Sequence, residues 1–91
     1  MAVSAQVSVY PLGQSDLSSA IDAVCAAFRA HGLRYKIGSM STWLEGDEQA
    51  VFAALRDAYQ AAAEYGGTVM VITVSNACPP TAGQKAVAGH A

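Results

Sequence analysis

The sequence has little charge and few of the residues that most catalytic or nucleic-acid-binding domains depend on. Only 13% of its 91 residues are charged, and five Lys and Arg stand against seven Asp and Glu, for a net charge of −2. The basic residues form no stripe that could follow a phosphate backbone, so we expect no nucleic-acid partner. The sequence also has no Gly-rich phosphate motif and no Ser-His-Asp order, which argues against the commonest catalytic classes.

Cysteine is scarce as well. The chain has two, Cys25 and Cys78, far apart in sequence and without clustered histidines. This spacing predicts neither a zinc site nor a disulfide framework, and we expect no bound metal. Cys25 falls inside a helical pattern and is interpreted as a buried structural thiol.

A long hydrophobic run is also missing. The least charged stretch, Tyr65 to Pro80, contains glycine, threonine, serine and asparagine, and it is too short and too polar to span a bilayer. Met1 to Tyr10 alternates in polarity and has no positive segment, so it does not resemble a signal peptide. We therefore expect a cytoplasmic protein with no membrane partner.

The chain does have apolar residues in excess, at 53% of the total. A chain of this length builds one core and leaves a large part of its surface exposed. Because so many apolar residues cannot all be buried, some are left for a partner subunit. A homo-oligomer is therefore expected.

The first half of the sequence predicts a strand and then a helix. Val3 to Tyr10 alternate between apolar and polar side chains, the period of a half-buried strand. Ser15 or Asp16 can cap a helix that ends at Gly32. Apolar residues recur along that helix at the spacing of one face: Leu17, Ile21, Val24, Cys25 and Phe28.

The second half predicts a hairpin, a helix and a final strand. Leu33 to Met40 and Thr42 to Gly46 form the hairpin, Asp47 caps the helix, and Thr68 to Ser75 is strongly strand-forming. The helix ends at Gly66-Gly67. Its predicted buried stripe is Val51, Phe52, Leu55, Ala58, Tyr59 and Ala62.

The resulting βαββαβ order predicts the α+β class and a ferredoxin-like sandwich, with two helices on one face of a four-stranded antiparallel sheet. This domain takes up residues 1–76. Residues 77–91 have no periodicity and are expected to form a flexible C-terminal tail.

The second face of the sheet is then left bare. Strict alternation assigns to it Ser8, Tyr10, Trp43, Glu45, Val71, Thr73 and Ser75. This mixture suits a subunit interface that leaves a polar pocket, or a plain contact between sheets without a ligand. A carboxylate at Glu45 could pair with an organic cation, or it could be a solvated edge charge. Trp43 could stack on a ligand ring, or it could belong to the core.

Three segments in this order resemble a family of small thiamine-binding proteins with ferredoxin-like folds. They are Val7 to Gly13 leading into Asp16 to Ser18, then Gly32 to Lys36, then Met40 to Gly46, and the similarity covers roughly residues 5 to 75. The resemblance implies that thiamine or its hydroxymethylpyrimidine portion is a bound ligand, that there is no established catalytic activity, and that dimers or tetramers form through the sheets. We expect no cofactor. With the alternation, it gives as candidate ligand-binding residues Ser8, Tyr10, Met40, Thr42, Trp43, Glu45 and Thr73.

Two alternatives to non-catalytic binding stay open. One is a cofactor-free enzyme, since the ferredoxin-like fold also supports catalysis. An acylphosphatase would need an arginine in the loop after the first strand, and Pro11 to Ser15 has no positive charge there. The other is a purely structural or regulatory homo-oligomer. We expect binding and no enzyme.

Overall fold

The computed structural model describes residues 1–13 and 17–77 of the chain. The described residues form two helices and four strands. They are β1 (Ala2–Pro11), α1 (Leu17–Ala30), β2 (Arg34–Ile37), β3 (Thr42–Asp47), α2 (Glu48–Ala63) and β4 (Thr68–Ser75). Apart from Ala77, the predicted tail lies outside the described residues, as do Cys78 and the cap at Ser15 or Asp16.

The predicted α+β class and ferredoxin-like topology are confirmed. The four strands pair antiparallel in the order β2-β3-β1-β4. Both helices pack against β1, which gives the split βαβ arrangement of two layers. Among the described residues, no helix is long and apolar enough to cross a membrane.

Strand β1 is central to the sheet, and its alternation separates the two faces. Val3, Ala5 and Val7 are buried beneath the helices. Leu44 on β3 pairs with Ala5 and is fully buried in the same cluster. The intervening residues of β1 are polar and point to the opposite, uncovered side.

Helix α1 contributes the largest buried side chain, Phe28, whose ring centroid lies 6.0 Å from that of Tyr35 on β2. The helix ends where Gly32 takes a φ of 70°, a left-handed conformation that costs glycine little. The amide of Leu33 then donates to the carbonyl of Phe28, closing the helix end. Leu17, predicted to be on the buried face, is half exposed because it lies in the first turn, at the edge of the core.

Helix α2 begins as predicted at Asp47, whose carboxylate accepts a hydrogen bond from the amide of Gln49 at 3.1 Å. Its buried stripe was wrong at two positions, because Phe52 and Tyr59 are 50% and 46% exposed. Small side chains hold the packed face instead, and they allow α2 to approach α1 and the sheet closely. The buried residues of α2 are Val51, Ala54, Leu55, Ala58 and Ala62.

Prediction for the core. The two phenylalanines of the chain, Phe28 and Phe52, make a matched pair, since one is fully buried and the other half exposed. Phe28→Ala should lower the free energy of unfolding by about 3 to 5 kcal/mol, because it leaves a cavity. Phe52→Ala should cost less than about 1 kcal/mol. Urea denaturation measures both, and equal losses would contradict this assignment of the core.

A side-chain hydrogen bond joins the end of α1 to α2. The Nε2 of His31 donates to the carboxylate of Asp57 at 2.7 Å. This hydrogen bond lowers the pKa of Asp57 below its ordinary value. The carboxylate therefore stabilises the fold at pH values above its unfolded pKa, and this contribution is lost as the pH falls through its folded pKa.

Prediction for pH. Between neutral and strongly acidic pH, the wild type should lose more stability than Asp57→Asn, because the amide cannot take up the proton. Chemical denaturation at a series of pH values gives the comparison. Parallel pH profiles for the two proteins would show that the pair contributes no pH dependence.

Candidate ligand-binding site

The uncovered side of the sheet is formed by alternate residues of all four strands, and we call it the open face. Gln6 lies at its centre, paired with Trp43 of β3 on one side and Thr73 of β4 on the other. The strand register therefore confirms the predicted membership of this face: Ser8, Tyr10, Trp43, Glu45, Val71, Thr73 and Ser75. Strand β2 adds Lys36, which pairs with Trp43.

Glu45 is on the open face but is not a solvated charge. It is 8% exposed, and its Oε2 accepts a hydrogen bond from Nη1 of Arg34 at 3.3 Å. The two residues are direct cross-strand partners of β3 and β2, so the register itself sets up the ion pair. A cationic ligand at Glu45 would have to compete with this guanidinium.

A cavity lies where β1 continues beyond the end of β3. The pairing of β1 with β3 stops at Val7 and Thr42, whereas its pairing with β4 continues to Pro11. The space beside Ser8 and Val9 is therefore not filled by a strand, and the residues between β2 and β3 lie next to it. Helix α1 closes the third side.

The cavity has a volume of about 160 Å³. Apolar side chains of β1, α1 and β2 line it, namely Val7, Val9, Ile21, Val24 and Ile37. The hydroxyl residues Ser8, Ser41 and Thr42 also line it. Burial raises the pKa of the Cys25 thiol in the α1 wall, so this thiol stays protonated and neutral.

Residues 38–41 form the β2–β3 turn, which is tied down by β1. The hydroxyl of Ser8 donates to the carbonyl of Met40 at 3.3 Å, and Nε2 of Gln6 donates to Oγ of Ser41 at 3.0 Å. The amide of Gly38 donates to the carbonyl of Ser41 at 2.8 Å. A Cβ at Gly38 would lie 3.0 Å from that carbonyl oxygen, so the turn favours glycine there. The side chain of Met40 is left 85% exposed beside the cavity.

The seven candidate residues fall into two groups. Ser8, Met40 and Thr42 line the cavity. The other four, Tyr10, Trp43, Glu45 and Thr73, belong to the open face.

The structure does not bring Glu45 to the cavity. Glu45 pairs with Ser4, which is four residues from Ser8 along β1, a distance of about 13 Å in an extended strand. Thr42 pairs with buried Val7 and faces the helix side. The cavity and the Arg34–Glu45 pair therefore lie at opposite ends of the sheet.

Two of the residues that sequence reasoning missed are Gln6 and Ser41. The alternation of β1 already placed Gln6 on the polar side, and this was sufficient to include it in the site. The contribution of α1, through Ile21 and Cys25, depends on how the helix packs across the sheet and has no comparable signal in the sequence.

Comparison with known proteins identifies the class. The model of the family "Thiamine-binding protein" matches residues 5–77. The chain belongs to this family. Among curated proteins, no sequence matches it significantly.

Solved structures agree on the fold. A hypothetical protein from Methanocaldococcus jannascii has a TM-score of 0.77 at 23% identity, covering 87% of this chain and 84% of its own. A domain of unknown function, DUF77, from Bacillus cereus has a TM-score of 0.74 at 25% identity, with coverages of 93% and 83%. A Thermotoga maritima protein, provisionally described as a thiamine biosynthesis or salvage protein, has a TM-score of 0.71 at 17% identity, with coverages of 81% and 82%.

Prediction for the ion pair. A double-mutant cycle of Arg34→Ala and Glu45→Gln should give a coupling free energy of about 0.5 to 1 kcal/mol, because Glu45 is buried whereas the exposed Arg34 leaves the pair partly screened by solvent. Urea denaturation of the four proteins measures it. Additive effects would show that this pair contributes nothing to the stability of the β2–β3 hairpin.

Proposed function

We propose that the protein binds thiamine or its hydroxymethylpyrimidine portion, that the pyrimidine ring occupies the cavity, and that the ligand leaves unchanged. Membership in the thiamine-binding family supports the class of ligand. The description of the Thermotoga maritima neighbour supports the same class. The observation that carries the proposal is the cavity.

The size of the cavity suits one aromatic ring. An apolar cavity of about 150 Å³ in another protein holds benzene, so about 160 Å³ is appropriate for a single six-membered ring. Thiamine has a second ring, which would remain outside, near the exposed Met40. A thioether is polarisable and adapts to aromatic surfaces, which suits this position.

The polar groups of the cavity fit an aminopyrimidine. The hydroxyls of Ser8, Ser41 and Thr42 each donate and accept, as ring nitrogens and an exocyclic amine require. The walls otherwise offer apolar groups and the neutral Cys25 thiol. This set favours binding, and it contains no carboxylate or imidazole to move a proton.

The open face supports a second part of the proposal, self-association into a dimer or tetramer. Tyr10, Val69 and Val71 are each about half exposed on this face. Apolar surface of this extent on a small sheet is typical of a contact between copies. Trp43, Gln6 and Thr73 would lie in the middle of that contact.

Prediction for the ligand. Ile21→Trp should weaken the binding of thiamine at least about tenfold, because an indole on the α1 wall fills the cavity. The matched control is Leu17→Trp, in the first turn of the same helix, at a residue that is exposed and does not line the cavity. It should bind as the wild type does. Calorimetric titration of ligand-free protein with thiamine measures the affinities, and the free pyrimidine should compete with it.

The outcomes separate the possible sites. Glu45→Gln should keep its affinity if the ring occupies the cavity, whereas a loss confined to Glu45→Gln would place the ligand on the open face. The absence of saturable binding to ligand-free wild type would overturn the proposed function. Mass spectrometry of thiamine recovered after prolonged incubation tests the non-catalytic part, and any conversion product would contradict it.

A further inference from the structure

An arginine at the end of α1 lies one step beyond the cavity, beside the β2 edge of the sheet. Arg29 is in the last turn of α1, four residues after Cys25, so the two share one face of the helix about 6 Å apart along its axis. On β2, Tyr35 precedes Ile37 by two residues and lies on the same side of the strand. Since Cys25 and Ile37 both line the cavity, Arg29 and Tyr35 form the layer next to it.

Tyr35 holds the guanidinium of Arg29 in place. Nη1 of Arg29 donates to the phenolic oxygen of Tyr35 at 2.8 Å, and the ring of Tyr35 is itself packed against Phe28. This hydrogen bond raises the pKa of Arg29, so the side chain keeps its positive charge. Arg29 is exposed, and a neutral partner rather than a carboxylate sets its direction.

The charge of Arg29 is not neutralised by a neighbour. Within the two described ranges, 1–13 and 17–77, Arg29 has no ion-pair partner. The acid of α1, Asp22, is seven residues away, about 10 Å along the helix. A guanidinium has five N–H donors and Tyr35 takes one of them, so others are left for the oxygens of an anion.

The positive charge acts on the cavity. Burial raises the pKa of the Cys25 thiol, and the nearby charge of Arg29 opposes part of this effect. The described residues that line the cavity include no charged group. Strand β2 adds Arg34 and Lys36 and has no acid. A ligand whose ring lies in the cavity therefore meets a positive potential on its β2 side.

We propose that the ligand is a phosphate monoester of the pyrimidine, with its ring in the cavity and its phosphate on Arg29. This inference rests on the proposed function, because it places the pyrimidine ring in the cavity. A phosphate joined to the ring through one methylene and one oxygen is short enough to reach the next layer. The guanidinium can then bind two phosphate oxygens at once, which an ammonium group does less well.

The test compares the affinities of ligand-free protein for hydroxymethylpyrimidine and for its phosphate monoester, by calorimetric titration. The wild type should bind the ester at least about tenfold more tightly, the scale of one charge-assisted contact. Arg29→Gln should bring this ratio close to one. Tyr35→Phe removes only the hydroxyl that positions Arg29, and it should lower the ratio about threefold because the guanidinium is no longer held in one direction.

The matched control is Arg56→Gln, which removes the same charge elsewhere. Arg56 is an exposed arginine of α2 and does not line the cavity. This variant should keep the ratio of the wild type. An equal loss in Arg56→Gln would show a general effect of net charge and would overturn the proposal.

The remaining outcomes separate this inference from the proposed function. Equal affinities of the wild type for the two compounds would overturn the phosphate site and leave the pyrimidine site intact. The absence of binding to either compound would overturn both. An unchanged ratio in Arg29→Gln would also contradict the proposal, because Arg29 would then only stabilise the end of α1, where the helix dipole favours a cation.

Discussion

The alternation of β1 between two antiparallel neighbours determines most of the molecule. Because β1 is flanked by β3 and β4, each of its side chains sets the face of a residue on the neighbouring strand. A slip of one residue would place Val3, Ala5 and Val7 in solvent and bury serine and glutamine. The core and the open face, with Glu45 on it, both follow from this register.

Much of the fold could be predicted because the relevant signals are local. Alternation in β1 and β4, the cap at Asp47 and the glycine after α1 each act within a few residues. The errors occur where packing between elements decides. Phe52 and Tyr59 have the right spacing for a buried stripe, but a row of alanines gives closer contact between helices, and the two aromatic rings are displaced to its edge.

The candidate site was predictable only in part, for the same reason. The alternation of side chains along each strand assigns Trp43, Glu45 and Thr73 to one face, and the structure agrees. It cannot show that Glu45 is held by Arg34, because this pairing depends on the register of the short β2 hairpin. The alternation of side chains also cannot locate the cavity, because the cavity depends on how the elements pack. It results from the extension of β1 beyond its pairing with β3 and from the distance between α1 and the sheet.

The hydrogen bond between Ser8 and the β2–β3 turn connects the open face of the sheet with the cavity. Ser8 projects from the open face, yet it lines the cavity and donates to the carbonyl of Met40. A hydroxyl has one proton to donate, so any acceptor that takes it competes with that carbonyl. A cavity ligand that accepts the Ser8 proton would therefore free the Met40 carbonyl, and its binding free energy would then be coupled to the position of the turn.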